Sequence, residues 1–455
     1  MNKNSDTIAA ISSAPGPGGI AVVRVSGPES IAVADRIFKC TPPVPSHRQT
    51  PAVIFGYVMS GSEVLDEALL LVMRCPHSYT RENVVEIQCH GGSLSAKRIL
   101  RAVLNEKIRL AKPGEFTKRA FVNGRIDLLQ AEAVMDLINA QTERGATLAM
   151  EQMMGALSRS FEDIYKSILH CSADLESALD FIEDELPDSF MPGVIKSLAD
   201  TLNKMDIMLS TWDEGHILRD GALVVISGKP NTGKSTLLNA LLGRDRVIVS
   251  SIPGTTRDVI EEQITVDGIP IRLTDTAGLR TSECSLEKEG VRRARNRIEM
   301  ADVNIYVIDA SKEIDEGERK NIAALDLKKT IVVFNKIDLG VQACHSALKK
   351  YDIIQTQATV SKGLTELKEM VVNKLNITKT NIHSSAISER HRQVLTSSRS
   401  YLVEAKKMLE SSDESMIVLA ASNTKKALEG IAEVIGKKYH EELLDSIFTR
   451  FCVGK

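Results

Sequence analysis

A lysine and a serine behind a spaced pair of glycines carry the first chemistry of this chain. Ala222 to Ser227 form an apolar, β-branched run that ends in Gly228; after four more residues comes Gly233-Lys234-Ser235-Thr236. That is a phosphate-binding P-loop between a strand and a helix. Its glycines let backbone N–H groups turn inward around phosphate oxygens. Lys234 reaches the β- and γ-phosphates, and the Ser235 hydroxyl holds Mg2+. Leu237, Leu238, Ala240, Leu241 and Leu242 continue as a helix, which places the phosphates at its N-terminus.

The base is read further on. Asn335-Lys336-Ile337-Asp338 follows the apolar strand Thr330–Phe334. A carboxylate there accepts from the ring N–H and the amino group of guanine, whereas adenine offers no such pair of donors. Between these motifs, Asp275-Thr276-Ala277-Gly278 follows the strand Ile269–Leu273. Asp275 belongs to the Mg2+ shell, and the Gly278 N–H contacts the γ-phosphate. Thr256, in Gly254-Thr255-Thr256-Arg257-Asp258, reaches Mg2+ only when the γ-phosphate is present. The order and spacing of these motifs specify a GTPase.

Leu279 stands where Ras-like proteins place a water-orienting glutamine, so the catalytic group must come from elsewhere. Glu283, Glu287 and Glu289 are the acidic candidates, each also readable as solvated surface. No obvious arginine finger is present in cis; Arg257 and Arg280 are candidates that equally suit a surface. Asn231, inside the P-loop, has a carbonyl able to hold a monovalent cation where an arginine would otherwise sit.

These motifs need a scaffold, and composition bounds it. The chain has 455 residues, 43% hydrophobic, with a net charge of −3. That length suggests about three domains. The charge leaves nucleic acid to a local patch or a partner. No apolar run approaches the roughly 18 residues of a membrane span, and no signal-peptide core is visible. Seven scattered cysteines without a C-x-x-C pair fit a reducing cytosol and neither a disulfide frame nor a zinc site. Cys89 and His90 are neighbours on a predicted strand and so face opposite ways.

Along residues 1–120, strands Ile20–Val25 and Val84–Cys89, the turns at 15–19 and 90–92 and a helix over Ser93–Asn105 describe an α+β domain. From about residue 126 the spacing turns helical, with interruptions expected near Leu186-Pro187 and Met191-Pro192-Gly193. Helices return over 384–451, where Leu443, Leu444, Ile447, Phe448 and Phe451 share a face. A P-loop GTPase domain inserted into a helical bundle, behind the N-terminal α+β domain, is the simplest arrangement. The terminal Phe451-Cys452-Val453-Gly454-Lys455 does not suit lipidation. Cys452 is either an incidental thiol or a residue delivered into a site.

The chain resembles the MnmE (TrmE) family of tRNA modification GTPases over essentially its whole length. The resemblance rests on Asp6-Thr7-Ile8-Ala9, Pro17-Gly18-Gly19-Ile20, Arg24-Val25-Ser26-Gly27, Pro113-Gly114-Glu115-Phe116, Arg119-Ala120-Phe121, Asp127-Leu128, the P-loop, Pro253 to Asp258 and the terminal five residues. It implies a dimerising, folate-binding domain over 1–122, a helical domain from 123–219 and 377–455, and an inserted GTPase domain over 220–376. It further implies a cytoplasmic homodimer that works on tRNA with an FAD-containing partner, MnmG (GidA), in a heterotetramer or larger complex, with no membrane. The product is an aminomethyl-type group on carbon 5 of the wobble uridine, its carbon drawn from 5,10-methylene-tetrahydrofolate; the 5-formyl derivative is an alternative ligand. Potassium-dependent association of the GTPase domains activates hydrolysis in this family.

Residue by residue, the resemblance makes Asn231, Thr232, Gly233, Lys234, Ser235, Thr236, Ser250, Ser251, Ile252, Pro253, Gly254, Thr255, Thr256, Asp275, Thr276, Ala277, Gly278, Asn335, Lys336, Asp338 and Ala358 the GTP-contacting set. Ser235, Thr256 and, through water, Asp275 hold Mg2+. Asn231, Ser250, Ile252 and Thr255 hold K+. Lys234 and Glu287 act in hydrolysis, Glu287 by orienting water. Arg24, Glu82, Arg125 and Lys455 contact folate, and Cys452 falls beside that site as a candidate nucleophile. Gln357-Ala358 stands where many members have Ser-Ala, and Arg125 where relatives carry lysine. A ribosome-assembly GTPase would need an appended basic RNA-binding domain; a septin- or dynamin-like GTPase would need a basic membrane-binding helix. Neither is visible.

Overall fold

A computed structural model describes residues 6–49, 51–180, 187–243, 262–275, 292, 296–341, 348, 350–376, 386–411 and 415–455. They fall into two compact units, one of Met1–Met135, Gln152–Thr201 and Ser397–Lys455, the other of Asp136–Glu151 and Leu202–Thr396. The helical residues 136–151, 202–219 and 386–396 thus group with the P-loop segment.

In the first unit, β1 (Ile8–Ile11), β2 (Ile20–Ser26), β3 (Phe38–Cys40), β4 (Ala52–Ser60), β5 (Glu63–Met73), β6 (Val84–His90) and β7 (Arg109–Leu110) form a sheet in the order β3-β4-β5-β6-β2-β1-β7. Burial alternates along β4: Ile54 and Val58 enter the core while Val53, Phe55 and Tyr57 face outward. A sheet packed on one face produces this alternation. Helices Ser30–Ile37 and Ser93–Asn105 contribute Ile31, Ile37, Ile99 and Val103 to the covering core. The Ser93–Asn105 helix has the expected bounds. Cys89 is buried and His90 exposed, as strand alternation requires.

Helix Ala156–Asp180 buries Leu157, Phe161, Ile164, Ile168, Cys171 and Leu175, and helix Met416–Val434 packs against it with Ala420, Ala427 and Ile431 buried. Lys437 pairs with Glu162 at 2.9 Å and lies over the Tyr165 ring. Leu444, Ile447, Phe448 and Phe451 share a core with Phe121, Leu128, Ala131 and Val134. Segments on either side of the P-loop region therefore pack on one another, as an insertion demands.

Two helical expectations need correction. Helix Phe190–Ser210 runs straight through Pro192-Gly193. Pro192 sits in its first turn, where the missing N–H has no helical acceptor anyway. The run after residue 126 also breaks at 140–142 and 154–155, giving separate helices Leu128–Asn139, Glu143–Met153 and Ala156–Asp180. Gly155, at φ 85°, takes a left-handed turn that periodicity does not reveal.

The second unit holds β8 (Ala222–Ser227), β9 (Glu262–Val266), β10 (Ile269–Asp275), β11 (Val303–Asp309), β12 (Thr330–Asn335) and β13 (Asp352–Thr356) in the order β13-β12-β11-β8-β10-β9. All pairings are parallel except β9 with β10. β11 and β12 are buried along their whole length, which explains their nearly unbroken apolar sequences. From β8 the chain builds first toward β10 and then toward β11. The carboxyl end of β8 is thus a topological switch point, where open α/β sheets bind ligands.

Candidate functional site

The P-loop leaves β8 at that switch point. Gly228 has φ 134°, and a Cβ there would lie 2.3 Å from the Val307 carbonyl oxygen. Gly233 has φ 91° and caps the helix Lys234–Leu242; its Cβ would lie 2.4 Å from Asn335 Nδ2. Both positions are closed to any side chain, so the signature glycines are sterically required. Lys234 is buried, and its ammonium donates to the Lys229 carbonyl at 2.6 Å. The Thr232 hydroxyl donates to the same oxygen at 3.0 Å. Ser235 Oγ donates to Asp275 Oδ2 at 2.8 Å, which brings together two expected Mg2+-shell groups, one in the first turn of the helix Lys234–Leu242 and one at the end of β10. Thr236 is exposed.

The Asn-Lys-x-Asp segment is strapped to this loop. Asn335 Nδ2 donates to the Thr232 carbonyl at 3.1 Å, and Asn335 Oδ1 accepts from Thr356 Oγ1 and the Ala358 N–H, each at 3.2 Å. Lys336 donates to the Asn231 carbonyl at 2.6 Å and to Asp309 Oδ2 at 2.8 Å. Asp338 is exposed on the short turn Ile337–Leu339, free of the buried scaffold beneath it. Burial raises the Asp309 pKa, but hydrogen bonds from Lys336 and Ser311 outweigh it and hold the carboxyl below its ordinary value. The Asn231 side chain is exposed. Ser250, Ser251, Ile252, Pro253, Gly254, Thr255, Thr256, Thr276, Ala277, Gly278 and Glu287 lie outside the described residues, with Arg257, Arg280, Glu283 and Glu289.

A second constellation forms in the first unit. Arg24, on β2, donates from Nε to Glu86 at 2.7 Å, and its guanidinium lies over the rings of Tyr79 and Phe116. Its buried Nη1 has no hydrogen-bond partner among the described residues. Arg125 lies over the same Tyr79 ring at 4.6 Å. Lys455 is half-buried; burial and then the Arg24 cation lower its pKa, with Glu86 opposing. Glu82 accepts from Ser26 Oγ at 2.6 Å and from Arg119 Nη1 at 3.2 Å. Arg119 is itself 1% exposed, bonded also to Asp6 and Glu115.

The C-terminal tail reaches this corner by close backbone packing. Gly454 has φ 103°, and a Cβ there would lie 2.2 Å from the Ile11 carbonyl oxygen. At Gly114, with φ 67°, a Cβ would meet the Phe448 carbonyl at 2.4 Å. Phe451 is buried and Cys452 exposed. The geometry gathers Arg24, Arg125 and Lys455, while Glu82 sits on Ser26 and Arg119. Sequence reading missed Tyr79, Phe116, Glu86, Arg119 and Asp309. Phe116 and Arg119 lie inside motifs already noted, whereas Tyr79, Glu86 and Asp309 carry no local signal.

A P-loop at the switch point of a parallel sheet, strapped to an Asn-Lys-x-Asp corner, defines the class: a P-loop GTPase. Two family models match the chain, "GTP-binding protein TrmE N-terminus" over residues 7–125 and "MnmE helical domain" over residues 128–452. The tRNA modification GTPase MnmE of Geobacter sulfurreducens is 41% identical, and that of Desulforamulus reducens 38%, each alignment covering 99% of both chains. Among solved structures, the G domain of the T. maritima FeoB iron transporter is 28% identical, matched over 98% of its length by 34% of this chain, with a TM-score of 0.26. The chain belongs to the MnmE (TrmE) family of tRNA modification GTPases. It is an enzyme that binds and hydrolyses GTP. Among the described residues no helix is long and apolar enough to cross a membrane.

Proposed function

We propose that GTP hydrolysis in this chain gates the transfer of a one-carbon unit to carbon 5 of the tRNA wobble uridine. The observation that carries the proposal is the corner where Arg24 and Arg125 lie over Tyr79 and Arg24 also over Phe116, with Lys455 near enough to feel the Arg24 charge and a buried arginine nitrogen unpaired among the described residues. Aromatic faces beside an incompletely satisfied cation suit a flat heterocycle that bears carboxylates, which is the chemistry of a tetrahydrofolate. Arg24, Arg125 and Lys455 would hold its anionic parts. Glu82, oriented by Arg119, would accept from its amino-pyrimidine edge. When bound, the folate supplies the one-carbon unit. Cys452 is exposed three residues before Lys455, on the tail that Gly454 docks, and is the candidate nucleophile. The FAD-containing MnmG would supply the redox half of the chemistry.

In the nucleotide corner, Asn231 to Thr236, the loop Ser250 to Thr256, and Asp275 to Gly278 would bind the phosphates. Lys234 offsets their charge. Ser235 and Asp275, already in contact, would hold Mg2+ together with Thr256, and the ion would supply positive charge against the phosphates. Asn231, Ser250, Ile252 and Thr255 would hold K+. Glu287 would orient water. Asn335, Lys336 and Asp338 would select guanine, and Ala358 would contribute through its bond to Asn335.

We infer a cytoplasmic homodimer formed through the 1–122 domain, with the helical domain (123–219 and 377–455) passing on motions of the 220–376 domain. The outward row Val53, Phe55, Tyr57 and Leu69, from 40% to 67% exposed on adjoining strands, supports a pairing surface there. Steady-state GTP hydrolysis in potassium against sodium chloride at equal ionic strength tests the reading. A potassium-specific rise is expected; equal rates would remove the cation mechanism and shift activation to an external partner.

A further inference from the structure

We propose that Asp309 is a positioning residue for GTP binding, fixing the P-loop backbone at Asn231 to the base-reading corner through Lys336. Asp309 ends β11 in register with Asn335 at the end of β12. It is 7% exposed. One carboxylate oxygen accepts from Lys336 at 2.8 Å; the other accepts from the Ser311 hydroxyl at 2.7 Å and the Ser311 N–H at 3.2 Å. The carboxylate is thereby aimed from two sides. The Lys336 ammonium then donates to the Asn231 carbonyl at 2.6 Å. Lys336 Cε lies 3.8 Å from the position a Cβ on Gly233 would take, so its stem runs along the P-loop.

Asn231 and Lys336 both have φ 63°, a left-handed conformation that asparagine tolerates but that costs a lysine unless the surroundings hold it. The bond from Lys336 to the Asn231 carbonyl joins those two left-handed positions. A mobile ammonium beside the P-loop would be drawn to the polyphosphate, releasing that carbonyl. The Asp309 carboxylate opposes this by holding the ammonium on its own side. Asp309 itself need never touch the nucleotide.

The inference rests on the GTPase activity and on neither the folate nor the potassium reading. Its test uses the full-length protein, with binding of a fluorescent GDP and GTP and steady-state hydrolysis as readouts. Asp309→Asn is expected to raise Kd and KM by about tenfold or more while kcat at saturating GTP changes less than about threefold. Lys336→Met, which also removes a proposed nucleotide-contacting side chain, should raise Kd at least as far, and the double variant should bind no worse than Lys336→Met alone. A merely structural carboxylate would give additive losses in the double variant, or a fall in kcat at unchanged KM; either overturns the proposal. If Asp309→Asn fails to fold by circular dichroism, Ser311→Ala carries the test. It leaves the ion pair and the backbone N–H bond at residue 311 but removes the hydroxyl's 2.7 Å bond to the other carboxylate oxygen, and about a threefold rise in KM is expected. An unchanged KM in a folded Ser311→Ala protein overturns the proposal.

Discussion

In the nucleotide corner, the P-loop's anion-facing groups come from one contiguous stretch, Gly228 to Ser235, and its buried lysine is already bonded to its own loop at 2.6 Å. In the tail corner the cations Arg24, Arg125 and Lys455 come from distant parts of the chain, and two of them crowd: Arg24 helps lower the Lys455 pKa. The first corner is organised by backbone, with glycines at 228 and 233 that admit no Cβ. The second is organised by side chains and by a tail packed closely at Gly114 and Gly454. Backbone donors cost little reorganisation when phosphate enters. Crowded cations hold a repulsion that an anionic ligand relieves. The contrast predicts sharp, local failure in one corner and graded, pH-sensitive failure in the other.

The largest effect is expected at the base-reading residue. Asp338→Asn should shift preference from GTP toward xanthosine triphosphate by roughly ten-thousandfold, the scale on which a polar site rejects a mismatched edge. Competition binding of the two nucleotides reads it, and an unchanged preference would show that Asp338 does not read the base. Next comes the water-orienting group. Glu287→Ala should keep GTP binding while turnover falls at least about a hundredfold; near-normal turnover would sink that assignment.

In the tail corner the expected losses are smaller. Gly454→Ala places a Cβ 2.2 Å from the Ile11 carbonyl at a strained φ of 103°. It should weaken tetrahydrofolate binding by about tenfold, the scale of one or two lost charged contacts, and leave GTP hydrolysis intact. Parallel loss of hydrolysis would break the contrast between the corners.

The smallest effect is a proton linkage. The Lys455 pKa lies below its ordinary 10.5, so in the window just below that value the folded protein holds fewer protons than a solvated lysine would. Tail docking is therefore favoured as pH rises through the window. A bound carboxylate raises the pKa again, so folate affinity should fall over the same rise. Calorimetry in buffers of different ionisation enthalpy should detect proton uptake on binding there; proton release would contradict the crowding argument.

The two corners also differ in legibility. The nucleotide motifs are contiguous, each following an apolar strand, so Lys234, Ser235, Asp275 and Asn335 could be placed before any fold was known. The strands around them emerge with bounds within a residue or two of expectation. Asp309 was invisible because its role depends on the register of β11 with β12. In the tail corner, Arg24 and Lys455 came only from family resemblance, and Tyr79 and Glu86 not at all, since no spacing rule joins positions so far apart. The helix through Pro192 was misread because a proline's effect depends on its place in the first turn.

The most direct test of the account is a calorimetric titration of 5-formyl-tetrahydrofolate into the wild-type protein and into Lys455→Met. The account predicts saturable binding to the wild type and at least about tenfold weaker binding to the variant, with GTP affinity equal in both. Absence of saturable binding to the wild type, or equal binding by both proteins, would contradict it.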